Sequence, residues 1–148
     1  MFDKLKRFFQ GDPPPIAEKV SDAVLGTLTW SKDDEAWISD AAHDDAGFEF
    51  VIRGTPEPDE ALLVRARDIL RRKDDFVAEV LAFVKSEGDK ERRPALYREE
   101  TAGLRVESVS LWPERPEGGM IYFSGGKDYR LWRCDMVAGK PKGLGFDS

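Results

Sequence analysis

Phe48, Phe50 and Ile52 alternate with Glu49, Val51 and Arg53, the period of two that marks a strand with one buried face. Residues 24–30 carry a similar strand pattern. Ala36-Trp37-Ile38 follows across the polar turn Ser31-Lys32-Asp33-Asp34, which predicts a hairpin. The period then changes. Leu62, Ala66, Ile69, Leu70, Val77, Val80, Leu81 and Val84 recur at steps of three and four, so the spacing predicts either one long helix or two with a kink near Lys73. The preceding Thr55-Pro56-Glu57-Pro58-Asp59-Glu60 is a helix start, because proline presets φ and the acids suit the positive end of the helix dipole.

Three further strand patterns cover residues 104–112, 120–124 and 129–137, with proline- and glycine-rich turns between them. Strands joined by such short turns are antiparallel. The expected fold is therefore α+β: an antiparallel sheet of about six strands in two meanders, with the long or kinked central helix packed on one face. At the start of the chain, Phe2, Leu5, Phe8 and Phe9 fall at near-helical spacing among Lys4, Lys6 and Arg7, before Gly11, Asp12 and three prolines. Residues 1–19 thus read as a short amphipathic helix and a Pro-rich spacer, and residues 20–148 as a single α+β domain.

Charge narrows the function classes. The net charge is −6 and the pI about 4.9, which argues against general nucleic-acid binding through phosphate neutralisation. The single cysteine, Cys134, excludes a disulfide within the chain, and the N-terminal residues lack the apolar core of a secretory signal, so a cytoplasmic setting is expected. The longest apolar runs, such as residues 80–84, fall far short of the roughly 20 residues of a membrane-crossing helix, so no transmembrane segment is expected.

Candidate chemistry is sparse. His43, the one histidine, sits in Asp40-Ala41-Ala42-His43-Asp44-Asp45, which reads as a solvated loop more readily than as a metal site. Cys134 shares a strand face with Trp132 and Met136 and is expected in the core. The Gly-x-Ser-x-Gly signature is absent, and Ser124-Gly125-Gly126-Lys127 is too short for a phosphate loop and leads into a strand, so it reads as a tight turn. Arg65, Arg67, Arg71, Arg72 and Lys73 read as a solvated helix face, with Asp68 and Arg72 spaced for an i,i+4 pair. No catalytic residue, metal ligand or cofactor is assigned.

Two features point to binding. Trp30, Trp37, Trp112 and Trp132 lie in or beside predicted strands, where each ring either fills the core or anchors a partner. Asp33, Asp34, Glu35, Asp40, Asp44, Asp45 and Glu49 follow one another with no Lys or Arg among them, a run that attracts a basic protein or protects a sheet edge.

The segments Met120-Ile121-Tyr122-Phe123-Ser124-Gly125, Leu131-Trp132-Arg133-Cys134-Asp135 and Gly143-Leu144-Gly145-Phe146-Asp147-Ser148 resemble the C-terminal part of small bacterial α+β domains of unknown function. Some domains of similar look occur among toxin-immunity proteins. The resemblance implies a bacterial setting and carries no catalytic motif. Phe146 near the end further predicts that residues 143–148 dock on the domain.

The leading expectation is a non-enzymatic interaction protein, of inhibitor or immunity type, that meets a basic protein through Asp33, Asp34, Glu35, Trp37, Asp40, Asp44 and Asp45. One alternative is a small-molecule enzyme whose pocket is formed only in the fold. Another is a module in weak peripheral contact with a membrane through Phe2, Leu5, Phe8 and Phe9, which could equally dock on the domain itself or on a second copy.

Overall fold

The computed structural model describes residues 15–40, 47–90, 94–113 and 117–147. Along the chain the elements are β1 (Lys19–Asp22), β2 (Gly26–Ser31), β3 (Ala36–Ser39), β4 (Glu49–Ile52), α1 (Glu60–Arg71), α2 (Lys73–Gly88), α3 (Ala95–Ala102), β5 (Arg105–Trp112), β6 (Gly118–Ser124), β7 (Leu131–Val137) and β8 (Lys140–Asp147). All eight strands form one sheet in the order of the chain.

This corrects the expected sheet. Among the described residues it has eight strands where about six were expected, and it is mixed, because β4 and β5 run parallel while the other pairs are antiparallel. The antiparallel rule holds wherever a short turn joins two strands. The three helices between β4 and β5 instead form a long crossover that returns the chain to the end where β4 began. The two unexpected strands are the sheet's edges. β8 is rich in strand breakers, with Pro141, Gly143 and Gly145, which an edge tolerates because one side of its backbone needs no ladder partner. A third helix, α3, follows the charged stretch near residue 90, and the central helical segment breaks at Arg72.

One face of the sheet is apolar from strand to strand. Phe50, Val109, Ile121, Cys134 and Leu144 are successive register partners across β4 to β8. Leu62, Ala66, Ile69, Phe76, Val80 and Val84 of α1 and α2 bury this face, and strands from both halves of the chain share the resulting core. Each large apolar side chain buried there contributes about 1.5–3 kcal/mol.

Polar contacts fix the helices on the sheet. The Asp59 carboxylate caps α1 by accepting from the Leu62 amide at 3.1 Å. Beside it, Gly54 has φ +139°, and a Cβ there would collide with the backbone of Asp59, so the chain passes only as glycine. The Gly54 carbonyl accepts the Trp37 indole N–H at 2.9 Å. At the other end of the sheet, Asp22 accepts from the Val24 and Leu25 amides and from Arg67 of α1, which ties the β1–β2 turn to the helix layer. Burial would raise the Asp22 pKa, but these donors outweigh it and lower it.

Candidate interaction surface

The helices cover one face of the sheet; the other carries the alternate residues of each strand. Register partners form rows across it. One row runs Glu49, Ser108, Tyr122, Arg133, and the next runs Thr29, Ile38, Val51, Ser110, Met120, Asp135. Ser108 and Ser110 of β5 are short, whereas Glu49 on β4 and Met120 and Tyr122 on β6, beside them, are long. The result is a trough along β5. Its walls stand two strand spacings apart, roughly 9–10 Å, and from Ser108 to Trp112 it extends roughly 13 Å.

The trough has a volume of about 450 Å³ and is lined by Ile38, Val51, Trp112 and Tyr122 together with charged residues. Half-buried Trp112 closes one end. Arg65 of α1 holds this end in place, donating to the carbonyls of Trp112 at 3.2 Å and Gly118 at 3.0 Å. Toward the other end lie Glu49 and Glu107. A bulge between Val106 and Ser108 places Glu107 outside the regular pairing and lets its exposed side chain line the trough. Three carboxylates, of Asp34, Glu49 and Glu107, thus face one guanidinium, of Arg53, in the lining.

The acidic run is divided by the fold. Asp33, Asp34 and Glu35 are exposed in the β2–β3 turn, where Asp34 accepts from the Ser31 hydroxyl at 2.7 Å and lines the trough. Asp40 is exposed at the opposite end of β3, its amide donating to Thr27 at 3.1 Å. Trp37, expected at the partner surface, is fully buried, because strand alternation turns it to the helix-covered face, where it meets Trp30 edge-on at 5.3 Å. Asp44, Asp45, His43, Phe2, Leu5, Phe8 and Phe9 lie outside the described residues.

Cys134 is fully buried, and burial pushes its thiol up to about 11, so it is protonated and shielded at neutral pH. The basic helix residues divide in two. Arg72 pairs with Asp68 at 3.0 Å on the surface, but Arg65 and Arg67 are not a solvated face, because the strand ends present carbonyls and Asp22 within their reach.

A second polar cluster went unanticipated. Glu100 of α3 meets Arg130, which follows the β6–β7 turn, and the rings of Tyr97, Tyr129 and Phe146 surround that guanidinium. Its members are spread over residues 97–146, and no local spacing links them. The Ser124-Gly125-Gly126-Lys127 turn is part of this cluster: the Lys127 amide donates to Glu100 at 2.6 Å. The carboxylate is therefore fully engaged in holding the turn.

Among the described residues no group of His, Cys, Asp and Glu is placed to hold a metal ion, and no helix is long and apolar enough to cross a membrane. No protein-family model matches the chain, and neither a curated protein nor a solved structure matches it.

Proposed function

We propose that this chain is a non-enzymatic interaction module, of inhibitor or immunity type, that holds a basic protein on the uncovered face of its sheet. The trough along β5 carries this reading: a concave strip with Trp112 and Tyr122 in its walls, ringed by more negative than positive charge. Aromatic rings supply large contact area at small entropic cost, and carboxylates at the rim select a cationic partner. The exposed Asp33, Asp34 and Glu35 extend the acidic surface beyond one end of the trough. Burial of Cys134 withdraws the one thiol from nucleophilic chemistry, in keeping with a binding role. The resemblance of residues 120–148 to domains found among toxin-immunity proteins points the same way.

The test is capture from extracts of the native host, followed by titration of the purified partner against wild type, Ser110→Trp and Glu107→Lys, each checked for folding by circular dichroism. We expect an identified basic partner whose affinity falls as salt rises, with binding lost in Ser110→Trp, which fills the trough, and weakened in Glu107→Lys. A partner that binds a folded Ser110→Trp variant as tightly as wild type would overturn the assignment of the surface. Failure to recover any salt-sensitive partner would count against the function.

A further inference from the structure

Resting on the interaction reading, we infer that the trough is a receptor for a single arginine side chain presented by the partner protein. Three features of the trough favour that occupant over a flat apolar patch. Its floor is made of Ser108 and Ser110, flanked by Val51 and Tyr122, which gives a narrow strip that is part apolar and part hydroxyl-lined. An arginine stem packs its methylenes on such a strip while its head stays polar. The strip, roughly 13 Å from Ser108 to Trp112, is long enough to seat an extended arginine side chain.

At the Ser108 end, Glu49 and Glu107 border the trough, Glu49 being the direct register partner of Ser108. A guanidinium placed there meets carboxylates from two strands and the ring of Tyr122, the register partner of Ser108 on the other side. Planar, weakly hydrated and forked, guanidinium both stacks on a ring and bonds a carboxylate through two N–H groups, which an ammonium does not. At the Trp112 end the lining holds Arg53, just past β4, together with Asp34, so charge there is balanced, whereas the Ser108 end holds two carboxylates, and this difference sets the direction in which the side chain lies.

The probes are acetyl-Gly-Arg-Gly-amide and its citrulline counterpart, a neutral near-isostere, followed by amide and indole resonances of the full chain in ¹H–¹⁵N spectra. We expect saturable shifts at Ser108, Ser110 and the Trp112 indole with the arginine peptide, and affinity about tenfold lower for citrulline. The shifts should vanish in Ser110→Trp and weaken in Glu107→Gln, with both variants retaining dispersed spectra. Equal binding of the two peptides, shifts confined to another surface, or no saturable response would each overturn the inference. If a protein partner is captured through this face while the arginine peptide fails, the arginine receptor is refuted and the interaction module stands. Loss of both refutes both.

Discussion

The Glu100 carboxylate meets the Arg130 guanidinium at 2.6 Å, Oε2 to Nη2, with the two side chains only 3% and 8% exposed. Arg130 Nε also donates to both oxygens, at 3.1 and 2.9 Å, so the pair is held by more than Coulomb attraction. Through it α3, the β6–β7 turn and the start of β7 are joined, and the ring of Phe146 in β8 lies 5.6 Å from the guanidinium carbon. This edge of the sheet has a polar lock where the opposite edge has the Asp22–Arg67 contact.

Acid should open that lock. Burial alone would raise the Glu100 pKa, but hydrogen bonds from Arg130 and the Lys127 amide, with the Trp132 indole beside them, hold it at about 2, below its ordinary 4.5. A depressed carboxylate stabilises the fold fully above the unfolded value and loses that contribution as pH falls from about 4.5 toward about 2. Urea melts across this window should show the loss in wild type. Glu100→Gln, which removes the charge that faces the Arg130 guanidinium, should lower the urea midpoint at neutral pH and show a flatter acid limb. Parallel pH profiles for the two proteins would refute the assignment.

Gly126 packs close against Trp132: a Cβ there would come within 2.7 Å of the indole and 3.1 Å of the Glu100 carboxylate. Both neighbours are buried and fixed. Gly126→Ala should therefore destabilise by about 1–3 kcal/mol, read as a lowered thermal midpoint. A variant as stable as wild type would show that the turn is free to move.

Removing residues 143–148 should be costly, because β8 pairs with β7 through Asp147. Phe146 packs 4.9 Å from Trp132 and 5.3 Å from Tyr97, centroid to centroid, and shields a fully buried tryptophan. We expect a loss of about 3–5 kcal/mol, with Phe146→Ala alone accounting for much of it. An unchanged thermal midpoint after truncation would contradict this packing.

Periodicity made some of this fold legible and left other parts hidden. β4 announces itself because its two faces meet different environments, helix on one side and open trough on the other. β8 does not, because Lys140-Pro141-Lys142-Gly143 reads as a turn, and only pairing with β7 and the contact of Phe146 on Trp132 make it a strand. The parallel join of β4 to β5 has no local signature, since it depends on where three helices return the chain. Charge along the chain misled in a similar way: Asp34 and Asp40 are close in sequence, yet β3 separates them by its full length. Trp37 and Trp112 look alike as strand tryptophans, and only register assigns one to the core and the other to the trough. The trough itself rests on Ser108 and Ser110, ordinary residues until Glu49, Val51 and Tyr122 are placed beside them.

Side-chain oxidation by hydroxyl radicals, compared between the free chain and its complex with the captured partner, tests the binding surface most directly. Trp112 and Tyr122 should lose most of their reactivity on binding, while Val64 and Leu96, exposed at 55% and 50% on the helix layer, should keep theirs. Protection of Val64 and Leu96 with Trp112 and Tyr122 unchanged would place the partner on the helices and contradict the uncovered sheet face as its seat.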